Sequence, residues 1–352
     1  MSLIIENMKE YVNWAILAPG RIAIKMAEAM NGEAAEGKVR LYAVGSRNLE
    51  RAKEFASKWN FQKAYGSYEE LLADDEVDAV YVANPHAFHM ESVLAALNAG
   101  KHVLCEKPAG CSRDQLDKMI SLARQKNLFF MEAMWTAFNP TIAQICKTIS
   151  EGVIGNVKNI DSRFCNRNPY DPNDKNDRNY APELAGGALL DLGIYNIYFA
   201  MMIAGFSPVA STSSIVRMLK GIDAWNSVNL AFENGIITSF EDAMDLPSAG
   251  GPTHDAVIFG EKGYITVENF FCTQKADVYV YKNIWGNEAD LVNQIRCPFK
   301  TNGYEYELIH ATQCILEGKT ESDVHTFKKS EELCSVMDGL RADWGMKYPW
   351  EK

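Results

Sequence analysis

The chain has no uninterrupted apolar run of about eighteen residues, the length a membrane-spanning helix needs. Its best stretch, residues 188–206, is interrupted by Asp191, Tyr195 and Asn196, so a membrane span is not expected. Residues 1–7 lack a basic segment followed by an apolar one, and no secretory signal is expected. The eight cysteines, at 105, 111, 146, 165, 272, 297, 314 and 334, include no CxxC pair. That excludes the usual structural zinc spacing and points to a reducing, cytoplasmic setting. Histidine is scarce, at six residues. His86 and His89 lie three apart, but no nearby carboxylate or cysteine completes a ligand set, so no metal is expected. Basic residues number 35 against 46 acidic ones, a formal charge of −11. This argues against a general nucleic-acid or anionic-membrane binder, while leaving room for a local basic pocket. Repeats and low-complexity tracts are also missing.

What is present is apolar material for real cores, 47% of a 352-residue chain. At roughly 100–200 residues per domain, that length suits two domains. The first part alternates strands and helices. Residues 13–18 form a short apolar run suited to a strand buried on both faces. Pro19-Gly20 turns the chain, and Ile22, Met26 and Met30 recur at helical spacing. Strands are expected at 39–46, 77–83, 102–105 and 128–132. Helices are expected at 49–59, 89–99 and 114–125, with Gly100 closing the second of these. This rhythm predicts a Rossmann-type α/β domain with a mostly parallel sheet over residues 1–135.

Beyond about residue 140 the rhythm changes. A strand at 155–164 precedes a polar stretch, 166–180, read as a functional loop or lid. A helix is expected at 184–202, after the Gly186-Gly187 break. Six strands follow at 209–216, 225–232, 236–243, 254–260, 264–267 and 278–281, then helices at 304–316 and 328–344. Successive strands without intervening helices predict an α+β domain with a large, mostly antiparallel sheet over 136–352. Its C-terminal helices are candidates to pack back on the first domain. Trp225, Val228, Leu230 and Phe232 near-alternate, which predicts a partly exposed apolar sheet face and a homodimer.

The chemistry gathers at the carboxyl ends of the first-domain strands. Ala18-Pro19-Gly20-Arg21-Ile22-Ala23 sits where a GxGxxG/A turn would hold a pyrophosphate on main-chain amides. Only Gly20, the close-approach position, remains glycine, so an ordinary strand–helix turn is the plainer reading. After the second strand comes Gly45-Ser46-Arg47-Asn48, with no carboxylate before Glu50. An NAD site usually places an acid there for the ribose. A Ser46 hydroxyl and an Arg47 guanidinium suit a 2′-phosphate instead, hence NADP, with NAD as the lesser alternative. Asn84-Pro85-His86 follows the third strand at the same edge, suited to main-chain contact with a ribose. His89 opens the next helix as a packing or capping residue. Glu106-Lys107-Pro108 ends the fourth strand. Pro108 restricts the backbone of Lys107 and aims its side chain. A cationic cofactor ring nearby would make that lysine a usable proton-transfer group. A surface Glu–Lys pair is the bland alternative. The cofactor-edge set is thus Ala18, Gly20, Arg21, Ile22, Ser46, Arg47, Asn84, Pro85, His89, Glu106 and Lys107.

These residues carry a resemblance. Arg51-Ala52-Lys53-Glu54-Phe55-Ala56, Ala64-Tyr65-Gly66-Ser67-Tyr68-Glu69-Glu70-Leu71, Val103-Leu104-Cys105-Glu106-Lys107-Pro108 and Met131-Glu132-Ala133-Met134-Trp135-Thr136 stand in order along the chain. The strongest mark is Gly186-Gly187-Ala188-Leu189-Leu190-Asp191-Leu192-Gly193-Ile194-Tyr195. Together they resemble the Gfo/Idh/MocA oxidoreductase family over nearly the whole chain. The branch most resembled is that of the dimeric dihydrodiol dehydrogenases, or NADP-dependent D-xylose dehydrogenases.

The resemblance implies an NAD(P)-dependent oxidoreductase moving a hydride between nicotinamide and a hydroxyl or carbonyl carbon of a sugar, dihydrodiol or similar polyol. It implies that Tyr195 is the acid or base on the reacting hydroxyl, with Lys107 beside it, and that Asp191 orients substrate or these partners. Many family enzymes carry His at the tyrosine position. Asp191 and Tyr195 are four apart, hence on one helical face, and an aspartate within Leu189-Leu190-Asp191-Leu192 needs a partner if buried. The resemblance also places Trp135 beside the cofactor or pocket. Ala137 departs from the pattern, which commonly has Arg there. Arg163, Arg167 and Arg178 flank the polar loop as candidates to reach substrate. Two alternatives stay open: a sugar–sugar oxidoreductase that never releases NADP, and a non-catalytic nucleotide-sensing member.

Overall fold

The computed structural model describes residues 9–32, 37–174, 177–246 and 254–351. Residues 1–7, on which the signal-sequence expectation rests, lie outside them. The chain divides into two compact units: Met1–Trp135 with Lys300–Glu331, and Thr136–Phe299 with Glu332–Lys352.

The first unit is built on six parallel strands: β1 (Val12–Leu17), β2 (Val39–Gly45), β3 (Lys63–Tyr65), β4 (Ala79–Val82), β5 (His102–Glu106) and β6 (Phe130–Ala133). Their order is β3-β2-β1-β4-β5-β6. This is the doubly wound Rossmann arrangement, whose order reverses between β1 and β4. Every residue of β1 is buried, as the apolar run demands of a central strand. Helices α1 (Arg21–Asn31), α2 (Leu49–Trp59), α3 (Tyr68–Leu72), α4 (His89–Asn98) and α5 (Arg113–Lys126) connect the strands. Asn48, Ser67 and Ser112 cap α2, α3 and α5 by accepting main-chain N–H groups of their first turns. The short pair β3 and α3 was not expected from the sequence.

The second unit begins with α6 (Pro140–Ser150), also unexpected. Its sheet contains β7 (Val157–Cys165), β8 (Val209–Leu219), β9 (Ile222–Phe232), β10 (Ile237–Ala243), β11 (Ala256–Gly260), β12 (Gly263–Val267), β13 (Lys275–Tyr281) and β14 (Ala289–Arg296). The eight strands run β14-β13-β12-β11-β7-β10-β9-β8 and are antiparallel except for the β7–β10 pair. The edge strand β14 was missed because its residues are mostly exposed and show no apolar alternation.

The expected helix over 184–202 is corrected to three pieces. A 3-10 turn spans Pro182–Leu184, a π turn spans Leu189–Gly193, and α7 runs Ile194–Ile203. The break lies at Gly186-Gly187, where Gly187 adopts φ 122° and a Cβ on Gly186 would stand 2.6 Å from the Asn179 carbonyl oxygen. The span Pro182–Ile203 is long and apolar enough to pass a membrane-span test, yet 89% of that window is buried in the protein. Its last piece, α7, packs on β7.

The apolar face expected of β9 is also corrected. Val228, Leu230 and Phe232 are buried, while Trp225, one position out of that alternation, lies on the opposite, half-exposed face.

Two helices close the chain, α8 (Glu305–Leu316) and α9 (Phe327–Asp343). Helix α8 belongs to the first unit and packs on β1 and α1, where the Trp14 indole N–H donates to Thr312 Oγ1 at 3.1 Å.

Candidate active site

In the first unit the turn after β1 is fixed by main-chain hydrogen bonds. Ala18 takes φ 72°, the left-handed conformation usually reserved for glycine, at a cost of about 1–2 kcal/mol. Its N–H donates to the Gly45 carbonyl, and its own carbonyl accepts from Gly20 N–H at 2.8 Å. Gly20 precedes α1 with extended backbone, and a Cβ there would meet nothing nearer than 3.8 Å. The fold therefore does not require glycine at this position. Its bareness fits the close approach of a ligand to the amides that open α1. Arg21 is exposed and Ile22 half-buried beside it.

At the end of β2, Ser46 is buried and its hydroxyl accepts Asn48 N–H at 3.2 Å. Arg47 is exposed. Glu50 turns along α2 to pair with Lys53 at 2.8 Å. Arg51, not singled out by the sequence, reaches across to the first turn and donates to the Pro19 carbonyl at 2.8 Å. Burial raises the pKa of Tyr68, and the charges of Arg47 and Arg51 oppose the rise, so both guanidiniums act on one phenol. The arrangement is a basic corner with a hydroxyl and an aromatic edge.

Asn84 follows β4. Its amide nitrogen donates to Ser92 Oγ at 2.7 Å, and its buried Oδ1 has no donor among the described residues. Pro85 opens a 3-10 turn, His86–Phe88. His89 is wholly buried, with Nε2 2.7 Å from the Asn84 carbonyl and Nδ1 2.7 Å from that of Pro108. Both ring nitrogens face main-chain carbonyls, and burial lowers the His89 pKa, so the neutral ring donates its one N–H to one of the two. His89 thereby sits between the turn after β4 and the turn after β5.

Lys107 is 8% exposed at the end of β5, before a cis bond to Pro108. Its main-chain N–H donates to Glu106 Oε2 at 3.2 Å, while Glu106 Oε1 accepts the Tyr81 hydroxyl. Glu132 braces the residue after Pro108, Oε1 accepting Ala109 N–H at 2.9 Å, and Oε2 meets His325 Nε2 at 3.1 Å. Burial alone would raise the Glu132 pKa, but the hydrogen bond and charge of His325 and the Ala109 N–H hold it below the ordinary range. Trp135 stacks on Tyr304, with centroids 4.2 Å apart.

The second unit holds the other candidates. Asp191 lies in the π turn, partly buried, with Arg178 Nη2 3.4 Å from Oδ2. Of the three loop arginines, Arg178 is therefore the one beside Asp191. Arg163 pairs with Glu241, and Arg167 bridges to Asp245 through the main chain. Tyr195 opens α7, only 6% exposed, against Phe164 and Phe271, whose centroids lie 5.7 and 5.4 Å from its own. Phe164 stacks on Phe271 at 4.4 Å, and His254 lies 4.5 Å from Phe164. This aromatic wall was missed because its members come from separate strands and turns. Elsewhere, His310, Cys314 and Asp323 bring ligand atoms within 4.8 Å of one another. Lys319 pairs with that aspartate at 3.1 Å, Ser322 bonds His310 at 2.8 Å, and burial pushes the thiol up to about 11, so the group is joined without an ion.

A doubly wound parallel sheet with a bare glycine turn at its first strand–helix junction is the architecture of a dinucleotide-binding domain. Residues 12–134 match the oxidoreductase family with an NAD-binding Rossmann fold, and residues 142–266 match the GFO/IDH/MocA C-terminal domain. The chain belongs to the Gfo/Idh/MocA oxidoreductase family. It is 33% identical over 339 residues to trans-1,2-dihydrobenzene-1,2-diol dehydrogenase of Xenopus laevis, covering 96% of this chain and 99% of the relative. The Homo sapiens enzyme of that name is 31% identical over 344 residues, covering 97% and 99%. Among solved structures, KijD10, a 3-ketoreductase from Actinomadura kijaniata in complex with NADP and TDP-benzene, superposes with TM-score 0.81 at 26% identity, covering 94% of this chain and 97% of that one. Levoglucosan dehydrogenase, in complex with NADH and levoglucosan, shares the fold at TM-score 0.82 and 19% identity, covering 95% and 97%.

Proposed function

We propose that the protein is an NADP-preferring dehydrogenase acting on a hydroxyl-bearing carbon of a dihydrodiol, sugar or similar small polyol, and reducing the matching carbonyl in reverse. The observation that carries this reading is the setting of Tyr195, a phenol on an aromatic wall, one helical turn from an arginine-paired aspartate. Residues 1–135 bind the dinucleotide in this reading; 136–352 bind substrate and form the dimer. None of the eight cysteines is in a disulfide, which suits a cytoplasmic enzyme.

The first unit fits a dinucleotide on its own geometry: the room at Gly20, the left-handed Ala18, the orphan Asn84 Oδ1 and the Arg47–Arg51 corner. Bound NADP⁺ supplies the hydride acceptor. Tyr195 takes the hydroxyl proton in this reading, and Lys107 is the proton-transfer group of the first unit. Asp191, held by Arg178, orients the polar end of the substrate. Phe164 and Phe271 exclude water and receive its apolar face. Placing the reacting groups in register is the protein's largest contribution.

Gly20→Ala should fold with unchanged thermal stability, because its Cβ has space and its φ is negative. NADP⁺ affinity should fall tenfold or more, measured by calorimetry. Equal affinity would remove the turn from the cofactor site.

The dimer reading rests on the half-exposed sheet face, where Tyr264 stacks on Tyr279 at 4.7 Å with Phe259 and Tyr281 around them. Light scattering should give the mass of two chains, and Tyr264→Arg should shift it toward one. A one-chain mass at every concentration would reject it.

A further inference from the structure

Under the segment that carries Asp191 and Tyr195 lies a buried polar network that the proposed reaction does not use. Asp223 on β9 and Asp242 on β10 are both fully buried. Asp223 Oδ2 accepts the main-chain N–H of Leu189 at 2.6 Å and the Asn226 side-chain amide at 3.0 Å. Asp242 Oδ1 accepts the side-chain amide of Asn196, the residue after Tyr195. Asn196 Oδ1 in turn accepts the Ser162 hydroxyl from β7. The two carboxyls therefore hold the two ends of the segment 189–196. They also leave no room for larger residues nearby: a Cβ on Gly187, just before the segment, would overlap Asp223 Oδ1, and one on Gly193, within it, would overlap Asp242 Oδ2.

Hydrogen-bond valence in this network is unbalanced. Asp223 Oδ1, Asp242 Oδ2 and Asn226 Oδ1 are buried acceptors that meet no donor among the described residues. A buried network with surplus acceptors is satisfied by added protons, since a carboxylic acid both donates and accepts. Two bare carboxylates in one buried site would instead repel.

We propose that Asp223 and Asp242 are positioning residues for the reaction site, a carboxyl pair that retains at least one proton at neutral pH and clamps the Asp191–Tyr195 segment onto β9 and β10. The role given to the segment rests on the proposed function; the retained proton does not. Electrostatics agree with the valence count. Burial pushes Asp223 up to about 7, with the Leu189 and Asn226 hydrogen bonds and the Arg341 charge on α9 opposing it. Burial likewise pushes Asp242 well above the carboxylate range, with the charges of Asp223 and neighbouring Glu241 adding to it and Asn196 and Asn226 opposing. Cys165 on β7 is a further titratable neighbour of Asp242, and burial, then the Asp242 charge, raises its pKa.

An aspartate whose folded pKa exceeds its unfolded one binds protons on folding. Its stabilisation is complete below about pH 4 and is lost as pH climbs through 7. In wild-type protein carrying ¹³C-carboxyl aspartate, NMR should show at least one carboxyl titrating above about pH 6. Titration of every aspartate below about pH 5 would overturn the proposal. Asp223→Asn and Asp242→Asn keep the shape without the titration. Their Tm relative to wild type should rise by about 4 °C or more between pH 5 and pH 8; a constant difference would count against the retained proton. Wild-type kcat should fall on the alkaline side, and each Asn variant should lose that fall with the KM for NADP⁺ within twofold. In a Tyr195→Phe background the same replacements should leave kcat unchanged. Effects that persist there undiminished would make the pair a general stability element and end the positioning claim. Should Tyr195→Phe itself leave turnover intact, the functional reading fails, while the NMR result still decides the carboxyl pair.

Discussion

Tyr195→Phe and Lys107→Ala should each lower kcat by about 10²–10⁴-fold, the usual contribution of a positioned proton-transfer group. NADP⁺ affinity should change by less than about fivefold in the tyrosine variant, because Tyr195 belongs to the second unit while the dinucleotide turn belongs to the first. The phenylalanine ring keeps the contacts with Phe164 and Phe271, so a loss of turnover with normal stability isolates the hydroxyl. Lys107 is buried at the end of β5, and its main chain is fixed through Glu106, which Tyr81 holds in turn. Alanine there removes the ammonium without removing that support. Transient kinetics with the reduced and oxidised cofactor would separate chemistry from binding. Unchanged turnover in both variants would reject the proton-transfer assignment.

The second large effect is on cofactor choice. Arg47→Ala should weaken NADP⁺ by roughly 10–100-fold and leave NAD⁺ nearly unchanged, since a charge-assisted hydrogen bond to a phosphate is worth about 1.5–3 kcal/mol. Arg51→Ala should do the same, with some added loss for both cofactors because Arg51 also braces the Pro19 carbonyl in the first turn. Glu50, the nearest carboxylate to that corner in sequence, is occupied by Lys53 on the surface of α2. Calorimetric titration of both cofactors against both variants measures the split. Equal losses for NADP⁺ and NAD⁺ at Arg47 would assign it to the adenine or to packing, and the preference would lie elsewhere.

The parallel sheet was legible because β1 is a continuous apolar run and the helices between strands show apolar spacing at three and four residues. Other signals were present but unused. Asn139-Pro140 opens α6 with a side-chain cap and a proline in the first turn, and Ser67 with Glu70 brackets the start of α3. The break of the helix at Gly186-Gly187 was visible, whereas the π turn was not. It depends on Asp223 and Asp242, which arrive from strands more than thirty residues away. The same holds for the site. Residues at strand ends, such as Gly20, Arg47, Asn84 and Lys107, can be read from position along the chain. Arg51, Phe164, Phe271 and the His325–Glu132 pair require knowing which distant segments meet.

The most direct test mixes purified protein and NADP⁺ with a panel of trans-dihydrodiols, D-xylose and other aldoses, and follows absorbance at the reduced-nicotinamide band. At least one substrate should produce NADPH at a rate that saturates with substrate, exceeds the rate with NAD⁺, and falls by about 10²-fold or more in Tyr195→Phe. Tight NADP⁺ binding with no reduction by any member of the panel, in either direction, would contradict the account and leave a nucleotide-binding protein without dehydrogenase activity.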